Sequence, residues 1–440
     1  MAFVHEGSCE CVSSELDLFS VPPTQTSIES GTYVEYHPIS SITGSSPLEF
    51  EVCSSGEDYL DLANSYLHVQ VKLQRANGAD LEDGDPVGPV NNFLHSMFSQ
   101  VDIQLNGTLV SSSTNTYPYR AYIENLLSYG PAAKKSHLTA ALFYKDRAGK
   151  MDAANPDDVA ADVNTGLKRR AEFTKENKIV DMIGRLHSDI FFQPRYMLNE
   201  VTAKIRLTRS KDSFCLMCAG ANTYRVSIVG AALFIRKVKL NPSVLLAHAK
   251  TLESGMAKYP IHRVVCKSFT IPRGYLDVSH EKLFSGQLPV RLVLGLVDNE
   301  AFNGSFTMNP FNFKHFSLSE LSIYLDGIQQ GIKPIKSSFA QNNYVRSFMT
   351  LFGGTGKENR DEGNDLDRED YKNGYALYAF DLTPDLSDEG HFNLARQGSV
   401  RVDMKFDAAL PSTVTVIAYA EFENVIEIDR SRNIVFDYSS

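Results

Sequence analysis

The chain has no tryptophan, only six cysteines in 440 residues, no basic excess and no long apolar run. Each shortage narrows the functions open to it. Exposed tryptophan is a common stacking platform, so its absence weighs against a lectin-like binding module, although tyrosine can substitute. Without about 18 consecutive apolar residues there is no helical membrane span. Residues 1–20 carry Glu6, Glu10, Glu15 and Asp17 and lack an apolar core, so they do not read as a secretory signal. The expectation is a soluble protein made and kept inside a cell. A formal net charge of -10 argues against broad contact with nucleic acid, whose affinity comes from neutralised phosphates. The densest basic cluster, Lys168-Arg169-Arg170, follows Asp157, Asp158 and Asp162 and reads as a solvated loop face.

The cysteines are Cys9, Cys11, Cys53, Cys215, Cys218 and Cys266. Cys215 and Cys218 have C-x-x-C spacing, but a zinc knuckle needs a second pair or nearby histidines. A thioredoxin-like site needs a βαβ context, also missing. Reduced structural thiols are the expectation, with no metal or other cofactor.

Present instead is strand patterning. A length of 440 residues with 43% hydrophobic content suits two ordinary cores. Apolar and polar residues alternate, as in Leu67, Val69, Val71 and Leu73, the period of half-buried strands. Val101-Asp-Ile103-Gln-Leu105 runs into Asn106-Gly107, and Leu321-Ser-Ile323-Tyr-Leu325 into Asp326-Gly327. Both dipeptides suit a hairpin turn with two positive φ angles.

These hairpins lie 220 positions apart, and the same offset matches Asn92-Phe93 with Asn312-Phe313 and His95 with His315. Arg120-Ala-Tyr122-Ile123 matches Arg346-Ser-Phe348-Met349 at 226. Val201, Ala203, Ile205 and Leu207 match Val400, Val402, Met404 and Phe406 at 199. Val226, Ile228, Gly230, Ala232, Phe234, Val238 and Leu240 match Val414, Val416, Ala418, Ala420, Phe422, Ile426 and Ile428 at 188. Blocks in one order with slowly drifting offsets indicate a tandem duplication.

The fall from 226 to 199 makes the first half 27 residues longer there, over the polar stretch Gly149 to Ile179. That excess is expected as an exposed or inter-subunit loop at one end of its barrel. Asn241-Pro242 through Gly255 reads as a short linking helix, capped by asparagine, started by proline and ended by glycine. The expected architecture is all-β: a double jelly roll of two tandem eight-stranded antiparallel sandwiches with elaborated loops. The expected divisions are an N-terminal arm at 1–27, one jelly roll at 28–256 with its insertion near 149–190, and a second at 257–440. The arm has Pro22-Pro23 and few large apolar residues, and is expected to be ordered only by neighbours.

Several stretches then become recognisable. They are Ser14 to Ser27 (SELDLFSVPPTQTS), Arg185 to Phe192 (RLHSDIFF), Asn309 to Phe313 (NPFNF), Asp361 to Asp365 (DEGND), Gly390 to Leu394 (GHFNL) and Glu421 to Arg430 (EFENVIEIDR). Across essentially its whole length the chain resembles the major capsid proteins of Polinton (Maverick) elements and adintoviruses. The resemblance implies a hexon-like double jelly roll, a homotrimer forming a pseudo-hexameric capsomer, and an icosahedral shell around double-stranded DNA. It also implies a single jelly-roll penton or minor capsid partner. It places the protein in the virion capsid, made in the host cytoplasm and assembled in the nucleus. Sequence-specific nucleic-acid binding is not implied.

The remaining motifs have plain readings. Gly353-Gly-Thr-Gly-Lys357 lacks the first glycine of a phosphate loop, where Leu351 stands, and Glu358 replaces its hydroxyl. The carboxylates of Asp361–Asp370 lack the EF-hand order and read as a solvated acidic loop, with calcium as the alternative. Asn106-Gly-Thr108 and Asn303-Gly-Ser305 fit the glycosylation pattern but no secretory route is expected. No nucleophile elbow or helical histidine pair appears, so neither a catalytic nor a metal residue is assigned and no enzyme is expected. A double-sandwich lectin and a hydrolase on a jelly-roll scaffold are the competing functions.

Overall fold

The computed structural model describes residues 5–438 apart from 55, 83, 159–162, 331–333 and 387–390. The first four residues of the arm, Asp162 and Gly390 therefore lie outside the described residues. The first half has β1 (Ile28–Tyr36), β2 (Leu48–Val52), β3 (Asp58–Arg75), β4 (Phe98–Leu105), β5 (Thr108–Leu109), β6 (Val180–Gly184), β7 (Ala203–Arg209) and β8 (Tyr224–Leu240). The second has β9 (Ala257–Ile271), β10 (Asp277–Gln287), β11 (Arg291–Asp298), β12 (Leu318–Leu325), β13 (Ile328–Gln329), β14 (Leu377–Asp381), β15 (Gln397–Phe406) and β16 (Val414–Ile428). Six helices matter below: α1 (Tyr117–Ser128), α2 (Thr165–Ala171), α3 (Asp189–Phe192), α4 (Pro242–Thr251), α5 (Val345–Gly353) and α6 (Arg368–Lys372).

Strand order identifies the fold. The sheets of the first half run β1-β8-β3-β6 and β2-β7-β4-β5; those of the second run β9-β16-β11-β14 and β10-β15-β12-β13. Adding eight to each label of the first half gives the second. All these pairings are antiparallel. This is the jelly-roll arrangement, twice in one chain. The eight-stranded expectation describes the shared path and is exceeded at its edges. Ile434–Phe436 extends β16's sheet, Ile335–Lys336 pairs with β12, and Val87–Pro89 pairs separately with Leu216–Cys218.

The alternating residues do what their period requires. Leu67, Val69, Val71 and Leu73 are fully buried, while Tyr66, His68, Gln70 and Lys72 face outward. Both hairpins take left-handed pairs, Asn106 and Gly107 at φ 46° and 82°, Asp326 and Gly327 at 51° and 76°. The longest sequence match is broken in three dimensions. A bulge between Ile228 and Gly230 shifts β8 by one residue against β3, so Phe234 pairs with outward Tyr66. Phe422, its counterpart, points into the second sandwich, edge-on to Phe284 of the opposite sheet. One extra residue exchanges the faces of a strand.

The linking helix α4 is capped by the Asn241 side chain, which accepts from the Ser243 N–H at 2.9 Å. It ends at Thr251, earlier than expected; Gly255 closes the following turn by donating to Thr251 O. No α4 side chain is buried.

Candidate assembly interface

Outside the two barrel interiors, polar and aromatic side chains concentrate in the junction between the halves. The matched block Arg120 to Ile123 lies on α1, where ten of twelve residues are buried. Tyr122 stacks on Phe311 with centroids 4.2 Å apart and planes 4° from parallel, and Tyr119 stacks on Phe302 at 5.6 Å. Beneath them the outer face of the second half's β16-β11 pair is buried: Thr415, Ile417 and Tyr419 opposite Val297, Gly295 and Val293. A β-carbon on Gly295 would come within 2.6 Å of Phe313, so glycine is what lets the ring lie on the sheet.

Charge is paired within this apolar seam. Arg120 reaches Asp189 of α3 at 2.6 Å and Glu124 at 2.9 Å, and Glu124 meets His187 at 2.5 Å. Asp189 also accepts the backbone N–H of Val264 on β9 at 3.1 Å, and Thr116 donates to Cys266 O. Burial pushes the Asp189 carboxyl above its ordinary range, only partly opposed by Arg120. Burial acts likewise on Glu124, but Arg120 and His187 outweigh it and hold that carboxyl low. His95 completes the group, edge-on to His187 at 4.5 Å with Nδ1 2.9 Å from the Tyr117 hydroxyl. Burial first, then His187, hold its imidazole well below the usual range.

The 149–179 excess corrects its expectation. It is not an exposed loop throughout: α2 packs on the Val87–Pro89 strand, with Leu167, Arg170 and Ala171 buried. Arg170 was expected on a solvated face with Lys168 and Arg169. Those two are exposed, but Arg170 is 0% exposed and pairs at 2.7 Å with Asp146, also 0% exposed. Arg170 lies one helical turn beyond Leu167 and shares its buried face. It also donates to Pro89 O and Tyr144 O, while Asn309 of the second half donates to Asp146 at 3.0 Å. Asp152 receives Asn309 N, Asn312 and Lys314. The insertion thus seals the junction within one chain. Lys134 joins the halves too, donating to Leu126 O and Asn364 O, and burial draws its ammonium down to about 7.

The other motifs resolve simply. Gly353-Gly-Thr-Gly-Lys357 lies at the C-terminal end of α5, where exposed carbonyls disfavour phosphate; Lys357 donates to Ser128 O. In the acidic stretch, Asp367 and Asp370 form a capping box on α6, and Asp370 pairs with Lys145 at 2.6 Å. These contacts account for both carboxylates without a cation. Asp367→Ala is expected to cost about 1 kcal/mol, equally in calcium and in chelator, as read by melting temperature. Asn106 accepts from Thr202 N and donates to Arg432 O, and Asn303 donates to Asn299 O. Cys215 and Cys218 are buried, and burial pushes both thiols up, Cys218 to about 11. Among the described residues no three His, Cys, Asp or Glu side chains are grouped to hold a metal. No described helix is long and apolar enough to cross a membrane.

No protein-family model matches the chain. It is 27% identical over 430 residues to the "Uncharacterized protein F54H12.2" of Caenorhabditis elegans, spanning 95% of this chain and 99% of that one. Among solved structures, a Sputnik virophage chain superposes with a TM-score of 0.63 at 11% identity, over 98% of this chain and 94% of that one. The mavirus major capsid protein gives 0.56 at 13%, over 99% and 97%. The Faustovirus major capsid protein gives 0.56 at 11%, over 93% and 92%. Identities this low speak for the fold, and near-complete coverage in both directions extends the likeness to both halves. The chain has the double jelly-roll fold that these viral capsid proteins share.

Proposed function

We propose that this chain is a major capsid protein that trimerises into pseudo-hexameric capsomers and builds an icosahedral shell around double-stranded DNA. The observation that carries this reading is the repetition of one strand order within a chain whose fold is that of viral capsid proteins. Three chains of two like sandwiches supply six like corners, and six-cornered tiles pave a shell. The stretches quoted above favour the Polinton (Maverick) and adintovirus lineage, and a nematode relative of matching length fits an element resident in an animal genome.

On this reading residues 1–27 are an arm reaching neighbouring subunits, and 28–256 and 257–440 are the two folding units. A single jelly-roll penton protein closes the vertices, and the shell assembles in the nucleus from chains made in the cytoplasm. The role is structural rather than enzymatic. Light scattering with negative-stain microscopy tests it. The expected particle has three times the 48.9 kDa chain mass, about 147 kDa, with a hexagonal outline or whole shells. A chain that stays monomeric at every concentration overturns the reading.

A further inference from the structure

The two halves present equivalent sheets, but they are covered to different extents. The centre of the outer face of β9-β16-β11-β14 is buried under α1, α3 and the aromatic loop around Phe311, and α5 covers its β14 edge. The outer face of its counterpart β1-β8-β3-β6 carries Tyr33, Tyr66, Ile183 and Val229 into solvent, with Tyr33 54% and Val229 43% exposed. Tyr33 and Tyr66 lie 6.3 Å apart, and Ile183 stands opposite His68 on the neighbouring strand. These apolar side chains, set among His68, Gln70 and Lys72, continue into the junction. Ile190 and Phe191 of α3 are buried between β3 and β9, while the next residue, Phe192, is partly exposed under the Arg185 guanidinium.

The helices show the reverse asymmetry. α1 is the element that the first half lays towards the second half's sheet. The block matching it in sequence, Arg346 to Met349, lies on α5, which buries only Ser347 and Leu351 and exposes Val345 and Met349. Each chain therefore holds one completed helix-on-sheet contact between its halves, one helix that packs on its own β14 but leaves an edge open, and one sheet face that is only partly covered. Such a contact joins unlike surfaces and can be repeated head to tail until a ring closes.

We propose that the outer face of β1-β8-β3-β6 is the docking surface for the second half of another copy of this chain, received through α5. This rests on the trimeric reading above and assigns its interface: three such contacts and three internal junctions alternate around six sandwiches. The occupant is a second copy because the equivalent sheet of the second half already receives a helix of the first half this way inside the chain, and because the open face continues from that junction.

The test uses the full chain. Tyr66→Glu with Val229→Glu, and separately Val345→Glu with Met349→Glu, are expected to reduce the light-scattering mass from three chains to one with an unchanged far-UV spectrum. Leu246→Glu, on the exposed face of α4, is expected to leave three chains. A milder probe guards against misfolding. Val229→Cys should react with a thiol reagent at least tenfold more slowly than Leu246→Cys in the assembled protein, read by peptide mass. Variants that stay trimeric, or equal reaction rates in the trimer, overturn the assignment and leave the capsid reading standing. A monomeric parent chain overturns both.

Discussion

Replacing Arg170 by methionine is expected to lower the melting temperature by roughly 10 °C. Both it and Asp146 are wholly buried, and their ion pair is completed by Asn164 and Asn309 from two sides. Removing one partner of such a pair typically costs about 3–5 kcal/mol, because the charge left behind is stranded in a poor solvent. At about 2–4 °C per kcal/mol for a unit of this size, that gives the stated fall. The variant also leaves Pro89 O and Tyr144 O without their donor. Combining it with Asp146→Asn is expected to restore part of the loss, since the stranded charge is gone and asparagine's carbonyl still accepts from one of the two amides. A double variant no more stable than Arg170→Met alone would mean that lost packing, not the stranded charge, sets the cost.

Acid is expected to loosen the same junction. His95 is held neutral in the folded protein by burial and by the neighbouring His187, with Tyr117 on its Nδ1 and Glu124 and Arg120 beyond. Unfolded, it accepts a proton below about pH 6.5. The unfolded state then binds more protons, so stability falls as pH drops through 6.5 towards the depressed folded value. The loss reaches roughly 1.4 kcal/mol per pH unit for such a group. His315, drawn down to about 4 by burial and Lys372, and His280 act in the same direction. Denaturant titrations at pH 7 and pH 5 should show the fall, and His95→Gln should flatten it. An unchanged slope in that variant would place the acid sensitivity elsewhere.

What the sequence disclosed follows the range of the forces involved. The hairpins at Asn106 and Asp326 were legible because turn chemistry is local, and the duplication because both copies keep their inward residues. Strand order was not legible, since β1 pairs with β8 across some 200 residues and nothing local encodes that choice. The bulge in β8 has little signature beyond Gly230, so Phe234 and Phe422 look equivalent and are not. Arg170 was misplaced for a different reason. Three consecutive cations suggest solvent, whereas the three-residue step from Leu167 to Arg170 already described a helix face that buries the last of them. His95, His187 and Glu124 carried no signal of their grouping, because they lie far apart in sequence and only the folded first half brings them together.

The meeting of the two halves has a consequence for the order in which the protein is made. The first half leaves the ribosome with Tyr119 and Tyr122 covered only on one side, by Phe214 and Phe143, and the rings that cover the other, Phe302, Phe311 and Phe313, follow roughly 180 residues later. Until then each unfinished chain carries both an uncovered helix and an open sheet face, the two complements of this contact, and is open to pairing with another unfinished chain. Completion of the second half therefore acts as a guard, because its sheet covers α1 within the same chain and removes one of the two complements from the nascent protein.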